Sequence, residues 1–544
     1  MQRYQLILFI IILFITTGCR SATPLPPATA VPDQSTISAT AVGTAATAAT
    51  AVTAATGFLR VQGQTILDSA GQPLLLRGVN MDNLYWLTDA DPLAYATQAD
   101  IQLLADLGLT VIRVALDWQD FATTLNYDLI DRYLAWCQAA GLYVVLDMHV
   151  VPPDAEFGDE LLWGDPVAEQ QFLDLWTAVA NRYAQNPTVA GYDLYNEPSP
   201  PDPAQWWSLA ARTAEAIRRV DPNHIIFVEN PLNDPHFQLL ADPNIVYSYH
   251  DYSPFVVSHA GAAWVADSPI PDDYAYPGSI IQGFEWADWS PDAAEFIGQS
   301  AEWVYWDSGV LTPPAGVDFA TLKPSVSGAV GDVWFDDLEV LHNGVPQFVY
   351  NAGMEDASMD TPEQIANWTF WSDTGFSGEW STEVAHNGRY SLKLSSDADG
   401  EGYAIWSQAI WLLSEPLFPI APGDTFQVRG WIYAPDNQGG SISLGLDYLR
   451  ATSVEYNREQ LLADIQPYLE WANAHNVPLF VGEFGAMAGS PGDSRYALIG
   501  DKVSLMNAAG LHWALWTFRD FGEFGLFAED RLDERMAEIL RQAR

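Results

Sequence analysis

The sequence predicts an α/β protein, a (β/α)8 barrel with a β-sandwich inserted between its sixth and seventh strands. Three observations predict it. Eight short apolar runs alternate with amphipathic segments. The polar residues within those runs gather toward their C-terminal ends. Between the sixth and seventh runs lie roughly 200 residues of another pattern, too many for a structureless loop in a compact domain.

In chain order, the first element reads as an export signal. Arg3 precedes the run LILFIIILFI, which is short for an ordinary spanning helix, and the run leads into Thr16-Thr17-Gly18-Cys19. Residues 1–19 are therefore expected to be a lipoprotein signal peptide with Cys19 as the lipidated residue, although Thr16 stands where a leucine-like residue is usual. Residues 20–57 collapse to Ala, Thr, Pro, Ser and Val and are expected to form a flexible linker. The one other cysteine, Cys137, lies inside a helical pattern and reads as a buried small hydrophobe.

The barrel is expected over 58–255 and 453–544. Its strands are read at LLLRGVN (74–80), TVIRVAL (110–116), YVVLDMH (143–149), GYDLYNEP (191–198), HIIFVEN (224–230), IVYSYHDY (245–252), PLFVGEFG (478–485) and WALWTFRD (513–520). Near-continuous apolar runs suit parallel strands covered on both faces. Segments such as QADIQLLADLG, YDLIDRYLAWCQAAG and WWSLAARTAEAIRRV carry apolar residues at spacings of three and four, the mark of one buried helix face. Proline after Glu197 keeps that residue out of a helix interior, which leaves a carboxylate at a strand end to be explained.

His149, Asn196, Glu197, Asn230, His250, Tyr252 and Glu483 fall at or near the C-terminal ends of their strands, with Arg113 and Trp516 slightly further back. In this architecture those ends converge on the face where sites are built. Glu197 on strand four and Glu483 on strand seven would face one another across the mouth. Two opposed carboxylates, one protonated and one ionised, are the equipment for cleaving a glycosidic bond. Arg113 is placed to keep Glu483 charged, and Tyr252 to donate to it. Asn196 suits a sugar 2-hydroxyl, and Trp516 offers a ring face for the reacting sugar.

The ordered set LRGVN, LADLGLTVIRVALDW, GLYVVLDMH, GYDLYNEP, NIVYSYHDY, VPLFVGEFG and WALWTF resembles glycoside hydrolase family 5, the cellulase-like retaining enzymes. The resemblance runs from about Phe58 to Tyr252 and from about Tyr456 onward. It implies Glu197 as acid/base and Glu483 as nucleophile, with Arg113, His149, Asn196, His250, Tyr252 and Trp516 at the family's other active-site positions. It further implies double displacement with retention, for which the carboxyls should lie about 5 Å apart. No catalytic metal is expected.

Residues 256–300 are expected to be a connecting loop, and 301–452 the sandwich. Short alternating runs such as DVWFDDLEVL, RYSLKLSS, TFQVRGWIYAP and SISLGLDYL, divided by Gly, Pro, Asn and Asp, mark antiparallel strands. NAGMEDASMDTPEQIANWTFWS through PGDTFQVRGWIYAP resembles the front half of a jelly-roll carbohydrate-binding module, and GVDFATLKPSVSGAVGDVWFDDLEVL its back half. The back half comes first, so a circular permutation is expected, which two separate sheets for 305–342 and 346–450 would rule out. That resemblance implies a structural calcium at Glu355 with Asp336 or Asp337. Trp368, Trp371, Trp380, Trp406 and Trp411 are candidates for a sugar platform or for core.

The net charge of -47, from 23 Lys+Arg against 70 Asp+Glu, excludes nucleic acid as a partner, since that needs a basic footprint. With 49% hydrophobic residues the chain is not disordered. The expectation is a monomeric extracellular, membrane-anchored lipoprotein, attached only through its lipid, that hydrolyses a β-linked glycan, with endo-β-1,4-glucanase favoured. Activity on β-mannan or β-1,3-glucan, and a non-catalytic surface glycan binder, remain open alternatives.

Overall fold

The computed structural model describes residues 57–543 apart from 83–94, 119–124, 152–161, 263–271, 291, 329, 359–361, 397–401, 409–416, 520–523 and 529–530. The expected signal segment with Cys19, nearly all of the linker and Trp411 lie outside the described residues.

Eight parallel strands close into a barrel: Arg77–Met81, Val111–Asp117, Tyr143–Val150, Val189–Asp193, Ile225–Glu229, Ile245–His250, Leu479–Phe484 and His512–Leu515. All eight predicted runs are present, several trimmed at their C-terminal ends. The fourth stops at Asp193, four residues before Glu197, and the eighth stops before Trp516. Close strand contact at the barrel wall demands a small residue at Gly191, where a Cβ would lie 2.2 Å from the Ile225 carbonyl oxygen. Val111, Val145, Phe227, Val246, Phe480 and Ala514 pack together inside the apolar core.

Most of the helices begin where short polar side chains satisfy free N–H groups. Thr97 and Asp100 form a capping box on Gln98–Asp106, and Asp202 with Gln205 does the same for Pro203–Arg218. Pro166 and Pro203 occupy first-turn positions, where the missing N–H costs nothing. One helix of the expected eight is absent: residues 230–244, between the fifth and sixth strands, form a loop. Its run PLNDPHFQLLADPN is broken by prolines, and it contributes Phe237 and Leu240 to the core instead. After the sixth strand only a single-turn helix, Phe255–Ser258, precedes the insertion, and the long helix Arg458–His475 comes after it.

The inserted residues build two antiparallel sheets. One runs 295–296, 441–456, 319–327, 403–408 and 368–372, with 278–289 on the free edge of 441–456 and 418–419 on 319–327. The other runs 300–307, 426–434, 332–342, 391–396 and 376–381, with 345–347 on 332–342. Both sheets mix strands from 305–342 and 346–450, so the arrangement that would have ruled out a permuted sandwich is not found. The buried face of Phe335, Val340, Leu392, Trp406, Ile432 and Leu444 forms a core of its own.

The expected connecting loop 256–300 needs correction. Gly278–Trp289 is a twelve-residue strand paired antiparallel with Ser441–Tyr456, and Glu295–Phe296 is a second, short one. The long pair is a ribbon between the two cores: Ile280 and Tyr456 are buried in the barrel's core, Tyr448 in the sandwich's.

Candidate active site

Past the end of the fourth strand the chain stays tied to the barrel, as Asn196 N donates to the Met148 carbonyl at 2.9 Å. Glu197 then takes a positive φ of 49°, strained for a side-chain-bearing residue, and its N–H is accepted by Glu229 Oε2 at 3.0 Å. This turn brings Glu197 to the imidazole of His250, with Nδ1 2.7 Å from Glu197 Oε1. The same nitrogen is 3.6 Å from Glu483 Oε2. Two carboxylates from opposite sides of the barrel therefore meet over one ring nitrogen. That bounds the two oxygens to about 6 Å of one another, below the roughly 6.5–9.5 Å of an inverting pair.

Glu483 is engaged at both oxygens. Arg113 Nη1 donates to Oε1 at 2.8 Å, and Tyr252 Oη donates to Oε2 at 2.9 Å. Arg113 is completely buried and is the hub of the site. Besides Glu483 it holds Asp147 (2.9 Å), Asp193 (2.9 Å), Asn80 (3.0 Å) and Asn196 (2.9 Å). Because Asn196 spends Oδ1 on Arg113, its amide N–H groups are the ones left for a ligand. His149 Nδ1 lies 2.7 Å from Asp147 Oδ2, and its ring stacks on Trp516 at 5.3 Å and 19°.

These surroundings set distinct charge states. Burial, partly offset by His149 and Arg113, pushes Glu197 up to about 7. Burial drives His250 down to about 3 and His149 down to about 4, so both rings are neutral near pH 7. Glu229 is raised well above the carboxylate range, first by burial and then by the nearby charge of Glu197. Tyr252 is likewise raised by burial and by Glu483, which keeps its hydroxyl a donor.

Arg113, His149, Asn196, Glu197, His250, Tyr252 and Glu483 are thus joined in one network, with Trp516 stacked on it. Asn230 is not part of it: its amide donates to the Pro231 and Asp234 carbonyls at 3.0 Å and holds the following loop. The neighbouring Glu229 points into the site instead, anchored by Trp206 Nε1 on its carbonyl at 2.7 Å. Glu229, Asp147, Asp193 and Asn80 escaped notice in the sequence. The signal for the three carboxylates was there, since each interrupts an apolar run and a buried charge needs a partner. Glu197, Glu229 and His250 also bring three ligating atoms within 4.8 Å, a grouping not foreseen when no catalytic metal was expected.

In the sandwich, the carboxylates suggested for calcium are engaged with the 386–390 turn. Asp336 Oδ2 accepts from His386 N and Asn387 N, Asp337 Oδ2 meets His386 Nδ1 at 2.6 Å, and Glu355 Oε1 accepts from Arg389 N and Tyr390 N. They do not form a gathered set of three acidic or imidazole ligands among the described residues. Trp368 and Trp406 are core, Trp380 stacks on Tyr390, and Trp371 is half exposed.

Comparison with known proteins gives the following similarities. Residues 67–283 match the family model described as cellulase (glycosyl hydrolase family 5). Endoglucanase C of Acetivibrio thermocellus is 31% identical over 185 residues, which cover 31% of this chain and 54% of that protein. A beta-xylosidase of Phanerodontia chrysosporium is 26% identical over 249 residues, covering 36% of this chain and 52% of that protein. The chain thus spans about half the length of these relatives. Among solved structures, the endoglucanase Cel5A of Thermotoga maritima is similar at a TM-score of 0.45 and 15% identity, covering 86% of this chain and 96% of that one. Residues 67–283 are thus similar to the cellulase family, glycosyl hydrolase family 5, and they lie on a barrel of eight parallel strands interrupted after its sixth strand by a β-sandwich.

Proposed function

We propose that the protein is an extracellular retaining β-glycosidase that hydrolyses a β-glycan by double displacement, acting as an endo-β-1,4-glucanase. The observation that carries this is the meeting of Glu197 and Glu483 at His250 Nδ1, 2.7 and 3.6 Å away. A separation of at most about 6 Å falls short of the inverting range, which supports retention.

In the first step a Glu483 oxygen attacks the anomeric carbon while Glu197, protonated through its raised pKa, gives its hydrogen to the departing glycosidic oxygen. The C–O bond to the leaving chain breaks and a glycosyl ester forms on Glu483. In the second step Glu197, now anionic, takes a proton from water, the water oxygen attacks the same carbon, and the ester bond to Glu483 breaks. Arg113 and Tyr252 hold the carboxylate in place for attack and stabilise it again on release. Asn196 N–H groups meet the sugar 2-hydroxyl, and the Trp516 face supports the ring.

The endoglucanase names among the relatives support glucan as the substrate, and an endo mode of attack. The N-terminal signal pattern and Cys19 support export and lipid anchoring of a monomer on the cell surface. The test is a panel of β-1,4-glucan, β-mannan and β-1,3-glucan polymers with product chain lengths followed over time. Early products of mixed length from β-1,4-glucan are expected. Turnover confined to mannan or β-1,3-glucan would move the substrate, and no turnover of any polymer would leave a glycan binder.

A further inference from the structure

On the outer face of the seven-stranded sheet, far in sequence from the catalytic network, lies a groove of about 790 Å³. Its walls carry planar rings that the core does not use. Trp286 is 59% exposed and Trp289 48%, both on the strand that opens the insertion, and Trp371 is 49% exposed on the opposite edge of the sheet. Tyr403 stands between them, 5.9 Å from Trp289 and 5.2 Å from Trp371. Solvent-facing tryptophans are costly to leave wet, and three bordering one concavity make a patch that calls for a ligand.

The floor is polar and buried. Lys323 pairs with Asp447 and lies under the Trp289 ring, 4.6 Å from its centroid, so the charges cancel within the floor. Gln408 is fully buried and lines the groove. Its Nε2 donates to the Tyr350 carbonyl at 2.8 Å, while its Oε1 accepts no hydrogen bond among the described residues.

We propose that this groove is a second binding site, separate from the catalytic mouth, for a single chain of neutral β-linked sugars. Pyranose rings present an apolar face to Trp286, Trp371 and Tyr403 and edge hydroxyls to Ser407 and the Lys323–Asp447 pair. A charge-cancelled floor matches an uncharged ligand better than an anionic one. Trp286 and Trp289 stand on the ribbon that is buried in both cores, so a chain held here is held rigidly with respect to the barrel rather than by a tether. The site does not depend on the proposed hydrolysis.

The test uses the whole chain with Trp286→Ala, Trp371→Ala and the double substitution, each made in the native protein and in Glu483→Gln. Retardation in native gels containing barley β-glucan, glucomannan or hydroxyethylcellulose reads binding, and turnover of a short aryl cello-oligosaccharide reads the barrel alone. Both ring positions are half exposed, and a melting temperature within a degree or so of the parent's shows that the variants fold. The expected result is retardation of parent and Glu483→Gln alike, weakened about tenfold or more in the double variant. Short-substrate turnover of the double variant should be unchanged. Equal retardation of parent and double variant, or no retardation of the parent by any of the polymers, overturns the proposal. Retardation of the parent without any turnover by the parent would count against the hydrolase reading alone.

Discussion

Arg113 Nη1 donates to Glu483 Oε1 at 2.8 Å from a side chain with no exposure to solvent. The same guanidinium reaches Asp147 and Asp193, so one cation is shared by three buried carboxylates from three strands. A buried ion network is weak evidence for stability as a whole, yet removing its single cation leaves several charges uncompensated.

Arg113→Met is therefore expected to destabilise the barrel by about 3–5 kcal/mol. Arg113→Lys keeps the charge but cannot reproduce a fork that serves Asp147, Asp193, Asn80, Asn196 and Glu483 at once. Its melting temperature should fall less than that of Arg113→Met, while its turnover falls with it. Thermal melts of both variants check this; an Arg113→Met protein as stable as the parent would show that the carboxylates are neutral without their cation.

Under the proposed double displacement the two carboxylates are expected to fail differently. Glu483→Gln removes the nucleophile and should abolish turnover of every substrate. Glu197→Gln removes the proton donor, which matters in proportion to how poor the leaving group is, and a loss of about 10²–10⁴-fold is expected on polysaccharide. On an aryl glycoside with an acidic phenol the first step no longer needs Glu197. A burst of phenol followed by slow turnover is then expected, because the second step still lacks its base. Stopped-flow release of the phenol reads both.

Most of this constellation was legible because the residues gathered at the site also break the strand pattern. Glu197 before a proline, Glu483 inside FVGEFG and Arg113 inside VIRVAL could not be explained by packing. What escaped notice is what closes a network in three dimensions. Asn230 and Glu229 are adjacent at the end of one strand, and only the pleat decides that Glu229 faces His250 while Asn230 caps a loop. The strand Gly278–Trp289 was hidden for another reason. Its partner begins more than a hundred residues later, and an edge strand with exposed tryptophans alternates too weakly to stand out from a loop. The helix missing after the fifth strand follows from its prolines, a local signal outweighed by the regularity of the repeat.

The alkaline limb of activity is expected near pH 7. The Glu197 carboxyl, raised to about 7 by burial, must carry its proton for the first step, so kcat/KM on polysaccharide should fall as pH rises through that value. Glu229 lies against the same turn, and its Oε2 accepts the Glu197 N–H at 3.0 Å. Glu229 is raised well above the carboxylate range and stays protonated while Glu197 titrates, so Glu229→Gln replaces one neutral group by another and preserves the acceptor. The limb and the melting temperature should both change little. A pH profile of kcat/KM for parent and variant decides it, and a limb moved to lower pH would show that Glu229 carries charge in the fold.

His512 gives a prediction independent of the chemistry. It opens the eighth barrel strand, on the end away from the mouth, and its Nδ1 accepts the Leu76 N–H at 3.0 Å inside the core. An accepting ring nitrogen must be unprotonated, and burial lowers His512 to about 3. A group with a folded pKa below its unfolded value of about 6.5 contributes stability that is complete above pH 6.5 and is lost as pH falls toward 3. The loss approaches about 1.4 kcal/mol per pH unit for one such ring over most of that window. His149 and His250 add to it in the same direction. His512→Gln keeps an acceptor for Leu76 but does not titrate. It should cost stability at pH 7 through imperfect packing, yet lose less on acidification, so the two melting curves against pH converge between pH 6 and 4. Because the substitution is remote from Glu197 and Glu483, the pH profile of kcat/KM should not move. Parallel melting curves would show that His512 is protonated in the fold and that the Leu76 N–H has another acceptor.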